Sequence, residues 1–339
     1  MHKHFQQFAR LLAASLVLFG VAAPAALAAT TTTAPSNVGQ ALEIAPPLIY
    51  LNVSPGQTVS TQILIRDVST SELAVSGQVN DFIASGENGT PKVLLNNDTN
   101  DPYSLKDWVA ALPSLDLIPK QIKPLPVTIN VPANASPGGH YGVVRFTATP
   151  PALSGQASGV ALSASIGALL LLTVSGNITQ NLSVAEFSVN HGGKTGSFFQ
   201  SGPLNFVERL KNNGNVHLQP TGQVTITDMF GRKLATLPVN VPPGNILPAS
   251  IREFSQALDK SVIGNKKLFG HYTAKMSVTY GTDKKALNSS LGFWVIPFKL
   301  VAGVIIVLIA GFFAIRYAIR RYNRYILEQA NKRSGRQRK

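Results

Sequence analysis

The chain has 339 residues, room for two modest domains, and no cysteine, which excludes disulfides, thiolate metal sites and cysteine nucleophiles. Its net charge of +14 is local, because residues 316–339 hold nine Lys/Arg against the single acid Glu328. What remains is only modestly positive, so the basicity is no nucleic-acid face, and no nucleic acid is expected as a partner.

In chain order, residues 1–28 read as a signal peptide: a basic start, an apolar run and an Ala26-Leu27-Ala28 cleavage site. Residues 29–41 are a Thr/Pro-rich spacer without a core pattern. From Leu42 onward, short alternating or apolar segments recur, with Gly, Pro, Asn and Asp between them. That pattern predicts an all-β fold of two tandem Ig-like β-sandwiches with a C-terminal single transmembrane helix. The first sandwich is placed at residues 42–176 and the second at 177–292. One stretch of the first, "DPYSLKDWVA", predicts a short helical turn with Trp108 packed into the core. The long connection from Asn96 to Lys123 around it is the candidate ligand-binding loop, with Asp98, Asp101, Tyr103, Lys106 and Trp108 as its side chains. The run Val160–Val174 is short for a bilayer span. Inserting it would also put the basic tail outside, so it reads as a long buried strand.

Residues 293–315 are apolar enough to span a bilayer, with Trp294 marking one interface and Lys299 close enough to snorkel to it. Arg316, Arg320, Arg321 and Arg324 then meet lipid headgroups, and residues 316–339 form a basic cytoplasmic tail. A type I, single-pass protein of the cell membrane is expected, with its ectodomain outside.

The segment "PGGHYGVVRF" returns in part as "LFGHYTAKMSV". Repeated Gly-His-Tyr could mean paired catalytic or metal-binding histidines. The two copies fall in different sandwiches, and no histidine stands two or four residues from another after Ala28, so no strand or helix presents a metal pair. In Ig-like sandwiches a glycine turn commonly leads into a tyrosine-bearing strand. Gly139, Tyr141, Gly270 and Tyr272 are therefore expected to be structural, with His140 and His271 as passengers beside a turn. The run Asn96–Asp101 suggests calcium, but counting from Asp98 places Tyr103 and Val109 where an EF-hand needs Gly and Glu. No nucleophile elbow, P-loop or dinucleotide fingerprint occurs. No cofactor, metal or catalytic residue is expected.

"LEIAPPLIYLNVSPGQTVSTQILIRDVST", "PYSLKDWV" and "INVPANASPGGHYGVVRF" resemble segments of the bacterial WxL-interacting surface proteins. The resemblance implies an N-terminal sandwich associated with peptidoglycan, a second Ig-like sandwich associated with a partner or host, one C-terminal span and a short basic tail. It covers roughly residues 42–174 by motif and the rest by layout. "NNGNVHLQPTGQVTITDMFGRKL" departs from the family pattern, and no family binding residue is carried over. The expected function is non-catalytic binding of peptidoglycan or another surface protein, for adhesion or scaffolding. The alternative is a membrane-tethered extracytoplasmic chaperone or assembly factor that works through a sandwich edge strand. A wall-processing enzyme built on Asp98 and Asp101 is a third class.

Overall fold

The computed structural model describes residues 41–95, 101–149 and 164–336. The expected signal peptide and nearly all of the spacer lie outside the described residues, as do Asp98 and Val160–Ser163.

The first sandwich contains β1 (Leu42–Ala45), β2 (Leu48–Val53), β3 (Thr58–Asp67), β4 (Leu73–Ser85), β5 (Thr90–Leu94), β6 (Leu115–Leu117), β7 (Ile122–Asn130), β8 (Gly138–Thr149) and β9 (Ala164–Val174). One sheet runs β1-β3-β7 and the other β2-β9-β8-β4-β5, with β6 paired to β4. The prolines Pro46 and Pro47 interrupt the first strand where a ladder donor would be needed. This segment consequently serves both sheets: β1 pairs antiparallel with β3, and β2 pairs parallel with β9.

The second sandwich contains β10 (Leu182–His191), β11 (Lys194–Thr195), β12 (Phe198–Phe199), β13 (Leu204–Asn212), β14 (Thr221–Asp228), β15 (Lys233–Val239), β16 (Ile251–Leu258), β17 (Gly270–Tyr280) and β18 (Lys285–Val295). Its sheets run β11-β10-β13-β16 and β12-β18-β17-β14-β15. A short helix, α1 (Lys260–Ile263), caps one end of this sandwich, and α2 (Phe298–Arg336) follows β18. The chain is thus all-β, two tandem Ig-like sandwiches, with one C-terminal helix. Its stretch Phe298–Leu327 is long and apolar enough to cross a membrane.

Alternation along the strands explains both cores. In β13, Leu204, Phe206 and Leu210 point inward and pack with Val224, Met276 and Phe293. Glu208 occupies the same inward register and is buried. The "ALLLLTV" run does not alternate because β9 is covered on both faces. Ala168, Leu170, Leu172 and Val174 enter the sandwich core, whereas Leu171 joins Phe82, Tyr141 and Val143 in a separate cluster on the sheet's other face.

The helix begins later than the apolar run predicts. Phe293 and Val295 are buried core residues of β18, and Trp294 lies between them on the strand's other face. Trp294 stacks on Phe198 of β12, with ring centroids 6.5 Å apart, so it belongs to the sheet rather than to the span. Helical structure starts only after Pro297, whose carbonyl accepts from the Leu300 and Val301 N–H groups. Lys299 stands in the first turn of α2, and Arg316, Arg320, Arg321 and Arg324 lie along it. Periodicity alone cannot separate a core strand from the start of a span when one runs directly into the other.

Candidate functional site

Asp81, buried on β4, organises the loop that the sequence singles out. Its Oδ2 accepts from Ser104 Oγ at 2.7 Å. Its Oδ1 accepts from the Leu105 and Lys106 N–H groups at 3.0 and 3.1 Å. The Lys106 ammonium lies 3.7 Å from the same carboxylate. A carboxylate that accepts this many bonds fixes the loop and offsets its own burial. Nothing in the local sequence of the loop marks Asp81 as its organiser, since the two are brought together only by the fold. The Asp101 carboxylate accepts from the Tyr103 N–H at 2.9 Å, the Asx turn expected of an Asn/Asp-rich segment. The predicted helical turn is a single 3-10 turn, Lys106–Trp108.

Asp101, Lys106 and Trp108 line one open polar cavity of about 540 Å³, together with Asn134 and His140. Tyr103 does not join them. Its ring packs 6.2 Å from Tyr141, and its carbonyl accepts from the Tyr141 N–H at 2.8 Å. Among the described residues, no group of three or more His, Cys, Asp or Glu side chains gathers into a metal-binding set.

His140 is not a passenger. It is 4 % exposed and lies 4.3 Å from the Trp108 ring. Its Nδ1 lies 3.2 Å from the Ser104 carbonyl and its Nε2 2.9 Å from the Ser136 carbonyl. The sequence places it beside a turn, but the 101–110 loop folds over that turn and takes it from solvent. His140→Ala is expected to cost about 1–3 kcal/mol, the usual loss when buried polar groups lose their partner. Urea unfolding of the purified chain in detergent measures it. His271 is half-buried on β17, with its ring 5.0 Å from Trp294. The repeat itself marks matching positions: β8 and β17 each lie beside the last strand of their sandwich.

The two tyrosines of the repeat do different work. Tyr272 closes a corner within its own sandwich: its hydroxyl donates to the Phe269 carbonyl at 3.3 Å and accepts from the Phe269 N–H at 3.1 Å. Tyr141 reaches the second sandwich, where its hydroxyl lies 3.5 Å from His217 Nδ1. The His217 ring also lies 5.6 Å from Tyr50. Burial lowers the His217 pKa to about 4 and pushes that of Tyr141 up. Gly139 must be glycine, because a Cβ there would collide with the Tyr141 hydroxyl. Gly270 has φ +102°, and a Cβ there would meet Met229.

More contacts close the joint. Gly139 N–H donates to the Asn215 carbonyl at 2.7 Å, and Asn245 Nδ2 donates to the Tyr50 hydroxyl at 2.7 Å. Arg209 of β13 donates through Nε to Glu87, in the β4–β5 turn, at 2.6 Å. Through Nη1 it donates to Glu186 of β10 at 3.0 Å. Its guanidinium holds both carboxyls below their ordinary range, with the Ser188 hydroxyl the larger cause at Glu186. None of these partners is close to Arg209 in sequence, so only the fold discloses the arrangement.

The second feature is an edge. β2 runs beside β9 only from Leu169 to Val174, whereas β8 pairs with β9 along its whole length. The Leu169 N–H points toward β2, where it donates to the Pro47 carbonyl at 2.9 Å. By strand alternation, the backbone groups of Ser165 and Gly167 point to that same side. Among the described residues, no strand pairs with them there. Among the described residues, 164–168 therefore form an edge with no outer partner strand, ending beside the joint.

The architecture defines a class: paired Ig-like sandwiches on a stalk-like apolar helix. No family model matches the chain, and no curated protein matches it. Among solved structures it is similar to the YadV chaperone, at 12 % identity over 75 % of this chain and 100 % of that one, with a TM-score of 0.36. It is similar to a chain of a chaperone–tip adhesin complex of CFA/I fimbriae, at 17 % identity over 74 % of this chain and 97 % of that one, TM-score 0.36. A chain of the Salmonella enterica SafA pilin–SafB chaperone complex matches at 11 % identity over 76 % of this chain and 98 % of that one, TM-score 0.36. Likeness this loose carries no argument about function.

Proposed function

We propose that this chain is a membrane-anchored, non-catalytic extracytoplasmic assembly factor that holds an extended segment of a surface-protein partner on the open edge of β9. The observation that carries the reading is the outer side of Ser165 and Gly167, which pairs with no strand among the described residues. An exposed edge of this kind accepts a further strand through main-chain hydrogen bonds, and soluble proteins ordinarily cover or blunt it. The adjoining Leu169 and Leu171 line a small apolar cavity of about 160 Å³ at the joint, which suits an apolar side chain of the added strand. The single apolar helix anchors the sandwiches, and the basic residues after it favour a cytoplasmic C-terminus.

A photo-crosslinking residue at Ser165, introduced in the host membrane, tests this reading. The expected result is an adduct with one segment of a surface protein that decays in a chase as the client folds. A permanent adduct instead supports scaffolding. No protein adduct at Ser165, alongside a folded chain, overturns the edge reading. Ser165→Pro, which removes the outward donor and the exposed hydroxyl contact with Thr147, is expected to lower capture about tenfold and to cost about 1 kcal/mol of stability.

The polar cavity beside Trp108 favours a second reading, a surface protein that binds peptidoglycan. An aromatic wall flanked by Asp101, Lys106 and Asn134 suits a polar, partly charged glycan. Co-sedimentation of the full chain with purified peptidoglycan, lost in Trp108→Ala while β9 crosslinking persists, separates the two readings.

A further inference from the structure

The end of the second sandwich that feeds α2 gathers several exposed aromatic side chains. Strand register identifies what lies there. Gly270 pairs with Val295 at the exit to the helix, and Asp228 pairs with Tyr272 two residues farther in. Leu204 pairs with Leu258 at the same end of the opposite sheet. The turn Met229–Arg232, the segment Asp259–Phe269, β12 and the Ile296-Pro297 link therefore share one end face. Phe198, Phe230 and Phe269 stand on it 63 %, 74 % and 62 % exposed. Three largely exposed phenylalanines on one end of an otherwise well-filled sandwich need a cover.

Basic side chains outnumber acids on this face. Lys260, Lys266 and Lys267 line a mainly apolar cavity of about 760 Å³ between the sandwich and the start of α2, with Pro297 of the link and Leu300 of the helix on the other wall. Arg232 sits 5.2 Å over the Phe230 ring, and Lys299 opens the helix. The acids nearby are already engaged. Asp228 accepts from Arg232 and from the Phe230 N–H, and Asp259 caps α1 through Ser261.

We infer that this face is a membrane-docking surface: it rests on the bilayer that α2 enters, with its phenylalanines in the interfacial layer and its lysines on anionic phospholipid headgroups. Only Ile296 and Pro297 separate β18 from α2, so a bilayer receiving α2 lies against this end of the sandwich by connectivity alone. Aromatic rings prefer the headgroup level, and each well-placed basic side chain near an anionic surface adds to the attraction. The cavity beneath Lys266 and Lys267 has the lining a headgroup with the upper part of its acyl chain requires. Docking would hold the ectodomain in one orientation on the bilayer. With eleven residues in β17 at about 3.4 Å each, the joint and the β9 edge would stand roughly 35 Å above the surface.

The inference rests on reading α2 as a bilayer span, and the experiment separates the two. The chain has no cysteine, so Phe230→Cys, Phe269→Cys, Val304→Cys and Thr282→Cys each carry a single fluorophore in the full chain. Each variant is reconstituted in nanodiscs of phosphatidylcholine with phosphatidylglycerol and lipid spin-labelled near the headgroup. Probes at Phe230 and Phe269 are expected to be quenched along with that at Val304 in the helix, while Thr282, at the sandwich's other end, is not. Replacing phosphatidylglycerol by phosphatidylcholine, or introducing Lys266→Glu with Lys267→Glu, is expected to reduce quenching at Phe230 about twofold and leave Val304 unchanged. Quenching at Val304 without quenching at Phe230 and Phe269 overturns the docking and keeps the span. Protection of those two probes by a partner protein would be one form of that result. No quenching at Val304 overturns both. Quenching at Phe230 that survives charge reversal and loss of the anionic lipid overturns the role of the lysines.

Discussion

Tyr141→Ala is expected to destabilise the chain by about 3–5 kcal/mol, the range for deleting a fully buried aromatic ring. Tyr141 is 2 % exposed and packs against Phe82, Tyr103 and His217, with centroids 6.1, 6.2 and 5.8 Å away. Its loss empties the cluster on the outer face of the β8–β9 sheet and removes a contact that crosses to the second sandwich. Tyr141→Phe keeps the ring and is expected to cost only about 1 kcal/mol, the worth of one hydroxyl contact. Urea unfolding in detergent, followed by tryptophan fluorescence, measures both. Tyr272→Ala supplies the contrast. Its hydroxyl closes a corner inside one sandwich, so it should lower stability and leave the joint unchanged. Spin labels placed on the two sandwiches should show a broader distance distribution in Tyr141→Ala and the native distribution in Tyr272→Ala.

Glu208 is the second large effect, and it depends on pH. Its side chain points into the core of the second sandwich, and burial pushes its carboxyl up to about 8. Both carboxyl oxygens are buried and lack a hydrogen bond of good geometry, and the neighbouring Gln256 side chain offsets only part of the burial. A protonated Glu208 is therefore the form this core accommodates. In the unfolded chain the same carboxyl releases its proton near its ordinary value of about 4.3. Below that value both states hold the proton, and the stability is complete. As pH rises from there toward about 8, only the unfolded state releases it, so stability falls. Above the folded value the loss is complete, on the order of a few kcal/mol, since each tenfold change in proton affinity is worth about 1.4 kcal/mol. Glu208→Gln is expected to flatten this dependence. It should be close to neutral near about pH 5 and stabilising near about pH 9, read as denaturation midpoints at the two values. A pH dependence that is the same in wild type and Glu208→Gln would show that Glu208 titrates normally, since the buried His217, which opposes the fall up to its ordinary value, is common to both.

Much of the architecture is legible along the chain because strands advertise themselves by alternation and turns by Gly, Pro and Asn. "KLATLPVNV", "HYTAKMSVTY" and "PLPVTINVP" each contain a strand, and the 3-10 turn lies inside "DPYSLKDWVA". Boundaries are less legible where one apolar segment runs into another. Phe293–Val295 has the composition of a span and the burial of a strand, and the β12–β18 pairing decides for the strand. The loop site is half legible: Asp101, Lys106 and Trp108 share a cavity, but Tyr103 turns away toward Tyr141, a residue far along the chain. Asp81, which anchors that loop, gives no local sign of doing so.

Short-range pattern is enough to establish the β-class, the two-sandwich plan and the apolar helix, and to single out Gly139, Tyr141, Gly270 and Tyr272 as expected structural positions. Each follows from period-two burial, glycine at crowded or left-handed positions, or uninterrupted apolarity. Only the folded arrangement shows which face of β8 is covered, and so that His140 is held between two carbonyls. It also joins Arg209 to Glu87 and Glu186, leaves Ser165 and Gly167 without an outer partner strand among the described residues, and sets three phenylalanines and a group of lysines on one end face. The physical reason is one of range. Alternation is a property of neighbours two residues apart, whereas an edge, a joint or an end face is made by strands that meet only after loops of unrelated length have closed.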